Sequence, residues 1–386
     1  MKAAVFHKPR NIELNEVPDP KIEKSTDAVL KITSTTICGS DLHIFNGYFP
    51  QAKDMVIGHE FMGIVEETGS DVKKYKKGDR VIVPFCISCG HCWFCTHHIP
   101  SACENSNPEN YGPEGGLLTE KGGGLFGYTD LYGGYPGGQA EYVRIPFADS
   151  QLKHAPEMPD EKILFLTDIL PTGYSAIDWA GVKGGETVAV FGCGPVGIMA
   201  QKVARLRGAK KVIGLDLKDY RLKKAAETAG SDTILVTDDE KEVIEQIRSM
   251  TNGRGADVVV DAVGMEADRS FMQGIGNMIH AQAGTINALK MCFSAVRRGG
   301  FVSVMGVYGT TYDNFPLGQI FDKGIQMRLG QAPVQNYIDE LIDIVKDEKI
   351  ILDDIITHTM PLTEIEKAYQ IFSDKEDDCV KIVLKP

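Results

Sequence analysis

The sequence predicts an α/β protein that joins a doubly wound parallel sheet to a β-rich part. Two observations carry this. Up to about residue 155 the chain offers short strand-like runs broken by glycine, proline and lysine-rich turns. Beyond it, apolar strands alternate with helical stretches, as in a parallel sheet covered on both faces.

A chain of 386 residues suffices for two or three domains, and 43% hydrophobic with 24% charged residues is ordinary for a soluble globular enzyme. A net charge of −12 argues against non-specific binding to nucleic acid or to an anionic membrane. No apolar run reaches the ~18 residues that suggest a bilayer span, and Met1 to Pro9 lacks the apolar core of a signal peptide. A cytoplasmic protein is expected. Five of the nine cysteines, Cys86, Cys89, Cys92, Cys95 and Cys103, fall within 18 residues, which in a long chain without a leader reads as metal binding.

In the first part, Val29-Leu30-Lys31-Ile32, Met55 to Glu67 and Asp79 to Pro84 are strand candidates for a compact, barrel-like domain. Among them stand Cys38-Gly39-Ser40-Asp41-Leu42-His43 and Gly58-His59-Glu60. Thiolate and imidazole together suit Zn²⁺, and a catalytic zinc with an open position needs a third protein ligand from elsewhere. A small buried cysteine and a satisfied core histidine are the competing reading of these residues taken singly.

Cys89-x2-Cys92-x2-Cys95-x7-Cys103 can close a tetrahedron of four sulfurs, leaving no place for water, so a zinc there is structural. Cys86 also offers a Cys-x2-Cys step, so the register could shift by three residues. An iron–sulfur cluster also uses four thiolates. Structural zinc is the preferred reading. Residues 104–138 then form a long glycine-rich stretch carrying Tyr111, Phe126, Tyr128, Tyr132 and Tyr135. Such a loop is functional or mobile, or else a solvent-exposed insertion.

Further on, Glu186 to Phe191 reads as a strand, Gly192-Cys193-Gly194-Pro195-Val196-Gly197 as a turn, and Ile198 to Arg207 as a helix. Lys211 to Asp216 is the next strand and ends in an acid 19 residues after Gly197. A glycine-rich turn in that setting is the dinucleotide-binding fingerprint. Gly192 makes the turn, Gly194 admits the pyrophosphate, Gly197 lets helix and sheet approach, and the helix N-terminus meets the phosphates. Asp216 would bind the ribose hydroxyls and repel a 2′-phosphate, selecting NAD; Arg221 could offset that repulsion or stack on adenine. Strands at Thr233 to Val236, Asp257 to Gly264 and Phe301 to Gly306 continue the alternation, with a helix expected to end at Arg298-Gly299-Gly300. Residues 265–287 break the rhythm as a second insertion. In the tail, Ile338, Leu341, Ile342 and Val345 mark a buried helix face, and Thr363 to Glu366 resembles a capping box. Val380 to Leu384 is a closing strand.

The pattern Gly58-His59-Glu60-x2-Gly63-x5-Gly69-x2-Val72, with the cysteine lobe, resembles the zinc-dependent medium-chain dehydrogenase/reductase family over essentially the whole chain. Within it, Pro84 to Gly90 and Gly137 to Tyr142 are similar to the glutathione-independent formaldehyde dehydrogenase-like branch. The resemblance implies a GroES-like catalytic domain, residues 1–155 and 312–386, split around a Rossmann NAD-binding domain, residues 156–311. The lobe spans 86–103. The resemblance places the third catalytic zinc ligand at Asp168, beside Cys38 and His59, which no pattern among 53 acidic residues would single out.

What the family does then follows as expectation: two Zn²⁺ per chain and NAD, with hydride passing between a small alcohol, or an aldehyde hydrate such as that of formaldehyde, and the nicotinamide. Zinc polarises the substrate oxygen. Ser40 takes the alcohol proton and passes it through the nicotinamide ribose to His43 at the surface. Asp41 orients His59, and Glu60 coordinates transiently during exchange. Implied cofactor contacts are Gly39, Ser40, His43, Gly192, Gly194, Pro195, Val196, Gly197, Asp216, Arg221 and Val263. In that branch an insertion at 104–138 covers the cofactor, which would slow NAD release and permit aldehyde dismutation. A homo-oligomer is implied, a tetramer before a dimer, with no nucleic-acid or membrane partner. Rival readings are a polyol, sugar or threonine-type dehydrogenase of the same superfamily and, remotely, a non-catalytic NAD-binding redox sensor.

Overall fold

The computed structural model describes residues 1–48, 54–108, 122–266, 286–309 and 312–386. The chain divides into two compact units, Met1–Pro171 with Pro333–Pro386, and Thr172–Ala332.

In the first unit the β-branched run of Ala28–Thr36 forms the central strand. It pairs antiparallel with Phe61–Thr68, Tyr142–Ile145 and Ile382–Lys385. Arg80–Val83, Lys153–His154 and His358–Pro361 complete a seven-stranded sheet. Leu30, Ile32, Phe61, Val65, Val81, Val83, Phe126 and Val143 fill its core. The closing strand therefore returns to the first part of the chain, pairing Val383 with Thr36.

The second unit is a six-stranded parallel sheet in the spatial order Asp232–Leu235, Lys211–Asp216, Thr187–Phe191, Ala256–Asp261, Val296–Val304, Gln326–Leu329. Numbered along the sequence this is 3-2-1-4-5-6, the order of a Rossmann sheet. The strand order reverses between Thr187–Phe191 and Ala256–Asp261, and ligands of such sheets bind in the crevice at that point, outside the carboxyl ends of the strands.

Both unit borders fall later than the expected 155/156 and 311/312. Leu164–Thr167 is a wholly buried 3₁₀ turn whose Thr167 carbonyl accepts from Phe85 N–H at 3.1 Å, which ties it to the first unit. Gln326–Leu329 adds a last strand to the parallel sheet. All four of its residues are exposed, so it has no apolar signature to read. Two local expectations also change. Arg298-Gly299-Gly300 lies inside the strand Val296–Val304, the helix Asn287–Ala295 ending before it. Thr363 forms no capping box, because the 3₁₀ turn Leu362–Glu364 runs directly into the helix Ile365–Asp374 without a side-chain cap. The tail stripe is as expected for Ile338, Leu341 and Val345, which are buried on the helix Ile338–Lys346, while Ile342 is only half-buried. The insertion at 265–287 lies almost wholly outside the described residues.

Candidate functional site

The central strand delivers Cys38 to the N-cap of the helix Gly39–Phe45, where Asp41 accepts the Cys38 N–H at 2.9 Å and closes a capping box. His59 enters from a turn at Gly58, whose φ of +94° favours glycine and whose missing Cβ would lie 2.3 Å from Gln139 Cγ. Asp168 leaves the 3₁₀ turn Leu164–Thr167. All three side chains are buried, and their donor atoms lie within 4.8 Å of one another. Asp168 Oδ2 stands 3.5 Å from Cys38 Sγ and 3.3 Å from His59 Nε2. Tetrahedral bonds of ~2.3 Å to sulfur and ~2.0 Å to nitrogen and oxygen give edges of about 3.5 and 3.3 Å. The donor set therefore fits a zinc ion.

Asp41 Oδ1 lies 2.9 Å from His59 Nδ1. A carboxylate at that distance favours the imidazole proton on Nδ1, which leaves the Nε2 lone pair for the cluster. Burial alone would lower the basicity of His59, yet the nearby Asp41 and Cys38 hold it well above the ordinary histidine value. Burial pushes the Cys38 thiol up, and Glu60 and Asp168 add to it. These groups thus hold protons that a cation would displace.

A second cluster is closed. Cys92 Sγ and Cys103 Sγ are 3.8 Å apart, and Cys89 Sγ and Cys95 Sγ 4.0 Å. Sulfurs ~2.3 Å from one metal in a tetrahedron are about 3.8 Å apart, whereas a disulfide needs ~2.05 Å. N–H groups of Cys92 and Asn105 point at Cys89 Sγ, and that of Cys89 at Cys103 Sγ, each at 3.3 Å. Cys95 donates a hydrogen bond to Cys103, which lowers the Cys103 thiol and raises that of Cys95. Cys86 stands apart, donating to Gln335 Oε1 at 3.0 Å.

In the second unit, Gly194 caps the helix Pro195–Leu206, with Pro195 in its first turn. At Gly197 a Cβ would fall 1.8 Å from Gly192 O, so only glycine permits this approach of helix to turn. Parallel pairing of Leu215 with Phe191 brings Asp216 beside the same turn. Its Oδ2 accepts from Cys193 N–H at 2.8 Å, and its Oδ1 from Lys218 N–H at 3.0 Å. Arg221 Nη1 is 3.9 Å from Asp216 Oδ2. Val263 lies across the strand-order reversal, its Cγ2 3.0 Å from where a Gly192 Cβ would stand.

Residues 24–157 match the family model of the alcohol dehydrogenase GroES-like domain, and residues 195–276 that of zinc-binding dehydrogenase. An uncharacterized zinc-type alcohol dehydrogenase-like protein, AdhB of Bacillus subtilis strain 168, is 46% identical over 390 residues, covering 100% of both chains. The chain belongs to the zinc-type alcohol dehydrogenases. Formaldehyde dismutase of Pseudomonas putida is 38% identical over 368 residues, 89% of this chain and 87% of its own. Among solved structures, alcohol dehydrogenase TADH from Thermus sp. ATN1 superposes with a TM-score of 0.84 at 32% identity, covering 100% of this chain and 99% of that one. The expected fold, a GroES-like unit split around a Rossmann unit within the medium-chain dehydrogenase/reductase family, is the observed one.

In this zinc-type alcohol dehydrogenase Ser40 Oγ is 3.3 Å from His59 Nε2, whereas His43, expected at the surface, is buried. The cause is local: Asp41 to Phe45 are all buried on their short helix. The glycine-rich stretch is likewise not loose where it is described. Gly124 N–H donates to Ser106 Oγ, Tyr135 OH to Ser106 O and Gly138 N–H to Gly58 O, while Phe126, Tyr128 and Leu131 are buried. Residues 109–121, with Tyr111, lie outside the described residues.

Sequence reasoning missed three residues around the cluster. Gln139 Nε2 donates to Thr36 O and Asp41 Oδ2, and its Oε1 accepts from Tyr369 OH at 3.0 Å. Lys381 donates to Glu60 Oε2, both fully buried. Burial alone would lower the Lys381 ammonium, but Glu60 beside it keeps it above the ordinary lysine value. The one signal for Lys381 was a lysine inside an apolar strand.

Proposed function

We propose that this protein is a zinc- and NAD-dependent oxidoreductase interconverting small alcohols and aldehydes. The observation that carries it is the cluster Cys38, His59 and Asp168, in which Asp168 stands from the other two donors at the edge lengths of a zinc tetrahedron, while Cys89, Cys92, Cys95 and Cys103 form a separate closed site. Bound zinc supplies Lewis acidity toward the substrate oxygen, and NAD the hydride acceptor.

The chain's own groups do the rest. Asp41 fixes the His59 tautomer and, through the Cys38 N–H, the position of the thiolate. Ser40, at the rim of the cluster, accepts the substrate's hydroxyl proton. His43 is three residues on, hence on the same helix face, and serves as the next proton station. Asp216, anchored by two backbone N–H groups, offers its remaining lone pairs to ribose hydroxyls and favours NAD.

The deciding experiment combines metal analysis with NADH formation across straight-chain alcohols, polyols and aldehydes. Two zinc ions per chain and turnover of small alcohols or aldehyde hydrates are expected. Turnover confined to polyols or to threonine would replace the substrate class, and no turnover with both zincs bound would favour a redox sensor.

The formaldehyde dismutase relative favours a second reading of the same site. With NAD retained, one aldehyde hydrate is oxidised to acid and a second aldehyde takes up the hydride as alcohol, so cofactor is neither gained nor lost. Freshly purified protein should then contain nucleotide and consume aldehyde with none added. Protein that purifies empty and needs added NAD has an exchangeable cofactor.

A further inference from the structure

Asp261 is the last residue of the strand Ala256–Asp261 and is fully buried in the second unit. Its Oδ1 accepts the N–H groups of Val263 at 3.0 Å and Gly264 at 3.2 Å, and its Oδ2 accepts Tyr308 OH at 2.7 Å. A buried carboxyl is costly unless its hydrogen bonds are made. Here they come from two different loops. Val263 and Gly264 follow Asp261's own strand, and Tyr308 follows the neighbouring strand Val296–Val304. The two loops touch through their backbones. Gly264 has a φ of +73°, a Cβ there would lie 2.7 Å from Val307 N, and Met265 N–H donates to Val307 O at 3.0 Å. On its other side Asp261 pairs with Phe191, and Val263 faces Gly192 of the dinucleotide turn.

The crevice at the strand-order reversal has two sides. Asp216 ends the strand Lys211–Asp216 on one of them, where the adenosine ribose is expected. Asp261, Val263 and Tyr308 lie at the strand ends of the other side, which is left for the second nucleoside of the dinucleotide. We propose that Asp261 is a positioning residue that ties Val263 and Gly264 to Tyr308 and so fixes the wall of the crevice that receives the nicotinamide nucleoside. The inference rests on the NAD reading of this unit. Without the carboxyl, two N–H groups and a phenol lose their acceptor, while the Met265–Val307 backbone bond remains. The loops then shift without coming apart. The hydrogen bonds that anchor Asp216 come from Cys193 and Lys218 and are untouched, so the adenosine side keeps its shape.

The test is calorimetric titration of the full zinc-loaded chain, freed of any retained nucleotide, with NAD, NADH and ADP. ADP carries the adenosine and the pyrophosphate but no nicotinamide nucleoside. In Asp261→Ala, affinity for NAD and NADH should fall by about ten-fold, the order that one hydrogen bond to a charged group contributes, with affinity for ADP unchanged. Tyr308→Phe should shift NAD in the same direction by less. Adding it to Asp261→Ala should cost nothing further, because both act through one carboxyl. Asp261→Asn, whose Oδ1 still accepts both N–H groups, should recover most of the NAD affinity. A purely structural role of Asp261 would instead weaken ADP and NAD alike. That result overturns the clamp, and so does wild-type NAD affinity in Asp261→Ala. Should Asp261→Ala fail to fold, Tyr308→Phe decides: loss for NAD without loss for ADP is expected, and wild-type NAD affinity overturns the clamp. A wild-type protein that binds neither NAD nor ADP overturns the cofactor reading itself, and the clamp with it.

Discussion

Asp41 Oδ1 and His59 Nδ1 are 2.9 Å apart in a buried pair, and the second oxygen of the same carboxylate accepts the Cys38 N–H. One side chain thus sets two of the three donors. Asp41→Asn keeps the size but replaces an anionic acceptor by a neutral amide. Zinc affinity at the open site is expected to drop by about 10- to 100-fold, measured by competition with a chelator, with a parallel loss of kcat. Unchanged affinity would mean that His59 is oriented by its surroundings without Asp41.

The two metal sites should fail differently. Cys38→Ser is expected to bind one zinc ion instead of two, to lose turnover and to keep its Tm, because protein hydrogen bonds and the helix capping box already hold the backbone at residue 38. Cys92→Ser should also lose one zinc, but with a lower Tm, since a structural zinc contributes folding energy. Equal Tm losses in the two variants would contradict the division into open and closed sites.

Asp216 is expected to govern the choice of cofactor. Asp216→Gly should raise kcat/KM for NADP and lower it for NAD, because the carboxylate no longer repels a 2′-phosphate and no longer holds the ribose. A wild type that already prefers NADP would assign control to Arg221, 3.9 Å from the carboxylate.

Acid should weaken the first unit through Asp160. Burial pushes this carboxyl up, but hydrogen bonds from Thr33, Ser34 and Arg80 outweigh it and hold it below the usual aspartate value. A lowered folded-state pKa contributes stability above the unfolded value of ~3.9, and that contribution disappears as pH falls through the folded value. Asp160→Asn should therefore cost about 1–3 kcal/mol at pH 7, and the gap from wild type should narrow below about pH 4. Urea unfolding from pH 7 to 3 measures both. A gap independent of pH would assign the cost to packing.

Whether a feature could be read in the chain depended on how locally it is encoded. The closed cysteine cluster lies in one short lobe, so ligand spacing pointed to its four sulfurs and left only the Cys86 register to the structure. The dinucleotide turn was equally legible, because glycine positions, strand and helix are contiguous and Asp216 arrives one parallel strand later. The strand Gln326–Leu329 was not, since an exposed edge strand carries no apolar alternation. The open cluster lies between these cases. Cys38 and His59 stood out by type, but Asp168 is 130 residues from Cys38 and entered only through the family resemblance.

Sequence by itself determined the two-part architecture, the cysteine lobe and the nucleotide turn, because short-range periodicity and spacing dictate them. Only the tertiary structure decided that Asp41 serves both Cys38 and His59, that His43 is buried, and that Lys381, 321 residues from Glu60, is its counter-ion. The physical reason is sheet pairing. The register that sets Val383 against Thr36 carries Lys381 to the carbonyl of Ile37 and to the cluster, and no local pattern in either segment encodes that meeting.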